Sequence, residues 1–214
     1  MTDSTTPTSH ANRRTQTERR ADAERRLLEA ARQLVARKGW VGMTLAEVGE
    51  EAGYSRGLAA HHFGSKAGLL RALAAYVNRN FMCLVDLELP RRTPGLDALL
   101  GFVGVYLGRG DTDWTNTRAL LALMAEAVTE DAETREILGD YNRQVQGYLA
   151  EHIRTGIASG DIRRSVDAAT GATLILATLR GVMLQYLLDP VSIELPAVQR
   201  QMLDFVETAL AAPR

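Results

Sequence analysis

Apolar residues recur along this chain at helical spacing. Leu27, Leu28, Ala31, Leu34 and Val35 fall at i, i+1, i+4, i+7 and i+8, one face of a helix running from about Arg19 to a stop at Gly39. Leu69, Leu70, Leu73, Tyr76, Val77 and Phe81 mark a longer helix after the Gly64-Ser65-Lys66 break. Beyond Pro90 and Pro94, amphipathic segments follow at about 95–108, 115–129, 133–158, 167–188 and 195–211, with Gly, Asp or Pro between them. No stretch alternates with period two over a useful length, so the pattern predicts an all-α fold with no sheet. There is no internal repeat and no low-complexity block.

Between the first and the longer helix the signals are finer. Thr44-Leu45-Ala46-Glu47 reads as a capping box, in which a hydroxyl satisfies an early backbone N–H and a glutamate three residues on reaches back to the cap. A short helix from Thr44 runs through Val48 and Ala52 to Gly53, and Ser55 is a second cap candidate opening a segment that ends at Phe63. Two short helices joined by a glycine-containing turn are a helix-turn-helix signature. The expected organisation is a polar arm at 1–18, a three-helix DNA-binding head at 19–64, and a larger helical body for ligand binding and dimerisation at 65–214.

Composition narrows the classes. The 214 residues are 46% apolar and 24% charged, enough for a buried core. The lone Cys83 can form no internal disulfide, and no charged-then-apolar leader is seen, so a cytoplasmic protein is expected. The apolar stretch from Leu174 to Leu188 is broken by Thr178, Arg180 and Gln185, which predicts a buried helix and no membrane partner. The net charge of −1 hides an asymmetry: residues 1–66 carry 11 Lys and Arg against 8 Asp and Glu, the remainder 14 against 18. An anionic partner would dock at the basic end.

In a helix-turn-helix the second helix lays its first residues against base edges in the major groove. Here it would present Arg56, whose fork can pair with guanine O6 and N7, and Gly57, whose missing side chain allows close backbone approach. Thr44 and Lys66 begin helices where free N–H groups suit a phosphate. His61 and His62 are neighbours pointing about 100° apart, so no metal site is expected. Arg13, Arg14, Arg19 and Arg20 are open to being a solvated run, a neutral leader, or an arm reaching phosphate or minor groove. The chain lacks G-x-S-x-G, H-E-x-x-H and GxxxxGK[ST], so neither an enzyme nor a cofactor is expected. The competing class is a helical interaction module that binds no DNA.

The run Thr44-Leu45-Ala46-Glu47-Val48-Gly49-Glu50-Glu51-Ala52-Gly53-Tyr54-Ser55-Arg56-Gly57, with His62-Phe63-Gly64-Ser65-Lys66 and Leu69-Leu70, resembles the N-terminal signature of TetR-type bacterial regulators. The likeness is specific over about residues 20–75; the rest matches in layout. It implies a ligand-responsive regulator, mostly a repressor in this family, that grips a pseudopalindromic double-stranded operator as a homodimer and is released by a small molecule. Thr44, Arg56, Gly57, His61, His62 and Lys66 stand where the family meets DNA, and Ser55 and Leu58 join the expected set, Leu58 for contact with a thymine methyl. The sequence departs at Ala60, where an aromatic residue is common, and at Leu58 and Ala59.

For the body, the expected dimer segments are 133–158 and 167–188, the second carrying Gly171, Ala172, Ala177 and Gly181 among Leu174, Ile175, Leu179 and Val182. Phe102, Tyr106, Trp114, Leu120, Met124, Met183 and Leu187 are candidates to line a ligand pocket, with Glu126, Asn116 or Gln185 for polarity; each can equally be core packing. Glu126 would suit a cationic ligand, while the apolar body would suit a lipid-like or aromatic one. The fourth helix is the expected lever between ligand and DNA.

Overall fold

The computed structural model describes residues 15–88, 92–108, 114–129 and 132–213. Among them the chain forms α1 (Gln16–Lys38), α2 (Leu45–Glu51), α3 (Leu58–Phe63), α4 (Lys66–Glu88), α5 (Leu96–Gly108), α6 (Thr115–Ala127), α7 (Ala132–Ser159), α8 (Ala168–Leu188) and α9 (Leu195–Leu210). No strand is present among the described residues, only an isolated bridge between Ile162 and Ala211. The all-α expectation holds.

α1 begins at Gln16, ahead of the expected start near Arg19, with Thr15 as its cap: the Thr15 hydroxyl accepts from Glu18 N at 3.2 Å while the Glu18 carboxylate accepts from Thr15 N at 2.7 Å. This is a second capping box, Thr-Gln-Thr-Glu, and it starts the helix three turns before the apolar face begins at Leu27. Arg19 and Arg20 are exposed on α1; Arg13 and Arg14 lie outside the described residues.

α1 buries Leu27, Leu28, Ala31, Leu34 and Val35 against Val48 of α2, Ala59 of α3 and Leu69, Leu70 and Leu73 of α4. Each such side chain removed from water contributes about 1.5–3 kcal/mol before entropy is counted. The same α1 also packs along α6, so the core of the head continues into the body. There Phe81, Phe102, Tyr106 and Tyr148 form an aromatic cluster, with Phe81 edge-on to Phe102 at 5.2 Å and to Tyr106 at 5.4 Å.

The long helices split their faces differently. α7 spends its apolar residues Ile137, Leu138, Tyr141, Val145, Leu149 and Ile153 inside the protomer and exposes Glu133, Arg135, Glu136, Asp140, Arg143, Glu151 and Arg154. The outer face of the expected dimer segment 133–158 is therefore mostly charged. α8 buries Ala172, Ile175, Leu176, Leu179 and Met183 yet leaves Leu174, Leu184 and Leu188 exposed, and α9 leaves Phe205 62% exposed. α8 is also long and apolar enough to cross a membrane by length and composition.

Candidate nucleic-acid interface and ligand cavity

α2 and α3 are set by local chemistry. Thr44 caps α2: its hydroxyl accepts from Glu47 N, and the Glu47 carboxylate accepts from Thr44 N at 2.8 Å. Lys38 Nζ lies 2.5 Å from the other oxygen of Glu47, and the Lys38 and Thr44 donors hold that carboxyl down at about 2. The chain then turns at Gly53, whose φ of 78° lies in the left-handed region that glycine enters without strain. Gly49 fixes the approach of the two helices, since a Cβ there would stand 2.4 Å from the Ser55 carbonyl oxygen.

The turn and α3 present one outward face: Ser55, Arg56, Gly57, Ala60 and His61 are exposed, while Ala59 is buried and Leu58 and Phe63 are half-buried against the core. Arg56 is the most available cation here, its side chain 74% exposed with a single loose contact to Glu50 at 3.5 Å. A Cβ on Gly57 would meet nothing within 4 Å, so the fold itself does not demand glycine there.

Three residues of the expected DNA-contact set make contacts within the protomer. His62 turns inward, its Nε2 3.3 Å from Glu24 on α1 and its ring edge-on to Phe63 at 4.8 Å. Leu58 is largely taken up by packing. Lys66 donates to the Val41 carbonyl at 3.2 Å, and its ammonium lies 4.9 Å from the centre of the Trp40 ring. Helical spacing puts His62 on the inner face with Ala59, an inference open to the sequence; the reach of Lys66 across 25 positions is not.

Glu126 reaches furthest along the sequence: its Oε2 accepts from Trp40 N at 2.7 Å and from Val41 N at 3.0 Å, across more than 80 positions, and it does not line the cavity described below. The α1–α2 loop is thus held by α6 through Glu126 and by α4 through Lys66, both on the same stretch of backbone. Gly39 makes room, because a Cβ at its φ of 78° would fall 2.3 Å from Glu126 Oε1.

Within the body a small cavity of about 10 Å³ lies among Val77, Phe81, Tyr106, Asn116, Leu120, Tyr141, Val145, Leu176 and Arg180, room for roughly one water. Tyr106, Leu120 and Asn116 are sequence candidates that do meet here. Of the others, Phe102 and Met183 are fully buried packing, Trp114 lies edge-on to Tyr186 at 5.9 Å, Met124 and Leu187 are half-buried away from the lining, and Gln185 is exposed. Asn116 is 8% exposed, donates weakly to the Val77 carbonyl at 3.4 Å, and leaves its Oδ1 without a partner. Arg180, which the sequence reading did not select, gives one nitrogen to Asn142 Oδ1 and stacks 6.0 Å from the Tyr141 ring centre, while its Nε is buried and unpartnered.

A helix-turn-helix with an exposed recognition face, joined through shared core to a helical body with an internal cavity, defines a DNA-binding regulator of the sensor type. The chain belongs to the TetR family of bacterial regulatory proteins: the family model so described matches residues 27–73, and the model described as the BetI-type transcriptional repressor C-terminal region matches residues 95–211. It is a ligand-responsive transcriptional regulator of that family. The HTH-type transcriptional repressor AcnR of Corynebacterium jeikeium is 30% identical over 205 residues, covering 89% of this chain and 94% of its own. A TetR-family regulator of Rhodococcus sp. superimposes with a TM-score of 0.81 at 23% identity, over 89% of this chain and all of that one. A transcriptional regulator of Saccharomonospora viridis, solved in complex with choline, matches with a TM-score of 0.74 at 25% identity, over 90% of this chain and all of that one.

Proposed function

We propose that this regulator represses by setting Ser55, Arg56, Gly57 and His61 of two protomers into successive major grooves of a pseudopalindromic operator, and that a small molecule entering the body cavity releases it. The observation that carries the reading is the exposed face of the α2–turn–α3 unit, on which the largest free cation, Arg56, stands beside a glycine the fold does not need. Arg56 would specify bases and the other contacts would position the head.

The second protomer would join through α8 and α9. Leu174, Ala177, Gly181, Leu184 and Leu188 are exposed and recur at alternating steps of three and four, the seam of two helices that pack along each other, with small residues at its centre for close approach. Val191, 95% exposed, and Phe205 extend the apolar strip. Burying it would also account for a helix that is membrane-like in composition.

The link from cavity to DNA would run along α6. Asn116 and Leu120 line the cavity near its start, and Glu126 holds the α1–α2 loop about 15 Å along it at 1.5 Å per residue. A cavity with room for one water must open to admit a ligand, and any shift of α6 and α4 is felt at Trp40 and Val41. For release to follow, the ligand must bind the displaced arrangement better.

Selection of binders from random DNA by the purified protein tests this, with Arg56→Ala compared on the winning sequence. A pseudopalindrome that the variant binds weakly and less selectively is expected. Absence of enrichment at low and moderate salt would instead favour a helical module that binds no DNA.

A further inference from the structure

The cavity has a chemical sign. Its lining holds one guanidinium, one amide, two phenols and five apolar side chains, and no aspartate or glutamate. Among the described residues the only side-chain acceptor recorded on Arg180 is the neutral Asn142 oxygen, and its Nε–H is buried with nothing to receive it. Arg180 is half-buried with no counter-charge beside it, and its buried Nε–H without an acceptor is costly. The aromatic faces of Phe81, Tyr106 and Tyr141 beside it would accept a cationic ligand by themselves, but Arg180 already lies over the Tyr141 ring and repels a second positive charge.

We infer that the effector is an anion, a small monocarboxylate with an apolar body, held by Arg180 through its free Nε–H. The inference deepens the sensor reading above and rests on it. The carboxylate supplies both missing terms at once, a charge for the guanidinium and an acceptor for its donor. Asn116 Oδ1, a buried acceptor of the lining with no hydrogen-bond partner, accepts from a hydroxyl on the ligand where there is one. The apolar remainder displaces the contacts of Val77, Leu120, Val145 and Leu176 as the cavity opens. Glu126, the one carboxylate the sequence suggested for a cationic ligand, is committed to the α1–α2 loop and does not reach this lining.

The test uses the full chain and matched probes: benzoate, benzamide and benzylammonium, hexanoate and hexylammonium, and choline. Binding is read from the shift in unfolding temperature, and release from the change in affinity for the selected operator. Benzoate or hexanoate is expected to bind at least about tenfold more tightly than its neutral or cationic match, as for a hydrogen bond to a charged group. Arg180→Gln should abolish that preference, and Arg180→Lys should keep the preference for negative charge while weakening it. A cation of either series, or choline, binding more tightly than the carboxylates would overturn the assignment, as would no binding by either carboxylate or an unchanged preference in folded Arg180→Gln protein. A carboxylate that binds but leaves operator affinity untouched sinks the sensor reading alone; a cation that binds and releases the operator sinks the anion assignment alone.

Discussion

In the head, the side chains that build the fold and those that face outward are separate sets: Val48, Ala59 and Leu69 are fully buried, while Arg56 and His61 are exposed. In the body they coincide, since Phe81, Tyr106, Leu120 and Leu176 are at once core and the wall of the cavity. A surface of the first kind can change its partner without loss of stability. A cavity of the second kind cannot change shape without repacking, which is what makes it able to pass a signal.

The contrast is broken most severely at Phe102. It is fully buried between Phe81, Tyr106 and Tyr148, and Phe102→Ala should cost about 3–5 kcal/mol by lost burial and a new void. Urea unfolding at fixed protein concentration measures it, because the stability of a dimer depends on concentration. A loss under about 1 kcal/mol would mean that the aromatic cluster is loosely packed.

Glu126→Gln comes next, because it tests the join between the regions. It replaces a carboxylate that accepts from two backbone N–H groups with an amide offering one acceptor and two further donors, so about 1–3 kcal/mol of stability should go. The ligand-induced drop in operator affinity should shrink as well. If ligand still releases the operator to the same extent, α6 does not carry the signal through this loop.

Legibility followed the same divide. The Thr44-x-x-Glu47 box, Gly53 and the apolar positions of α1 and α4 act within a few residues of themselves, so the pattern located them, and the spans of α5 to α9 came within two residues at each end. The Thr15 box was there to be read and was missed because no apolar residue follows it closely. Glu126 and Arg180 were not legible: one acts on residues more than 80 positions away and the other on a residue 38 positions away, and a lone Glu or Arg on an amphipathic helix reads as a solvated charge until its neighbours are known. The dimer surface is hidden for a related reason, since an apolar stripe does not say whether its partner lies in the same chain.

Arg56→Ala sharpens the head's side of the comparison. Its contact with Glu50 is exposed and long, so stability should stay within about 0.5 kcal/mol of the parent. Operator affinity should fall by about 1–3 kcal/mol, with discrimination lost at one base pair of each half-site. Equal losses on selected and random DNA would reduce Arg56 to a phosphate contact.

The smallest effect is in acid, where the two regions should weaken in different windows. Glu47 has its pKa lowered from 4.5 to about 2, foremost by its hydrogen bond from Lys38 and then by Thr44. A carboxyl depressed in the folded state contributes stability that is complete above its ordinary value and drains as pH falls from about 4.5 towards 2. In the body, His152 is lowered from its ordinary value of 6.5 by burial beside Tyr148, so the unfolded chain takes up its proton first and stability begins to fall below about 6.5. The two tryptophans separate these contributions, Trp40 lying in the head and Trp114 at the start of α6. In a Trp114→Phe background, Trp40 fluorescence followed through urea unfolding from pH 5 to 2 should show a slope that Glu47→Gln flattens. His152→Phe should flatten the slope between pH 7 and 5 and leave the lower window alone. If Glu47→Gln changes nothing between pH 5 and 2, Lys38 and Thr44 hold a carboxylate whose pairing solvent has already screened to insignificance, and the head's acid response lies with its other ion pairs.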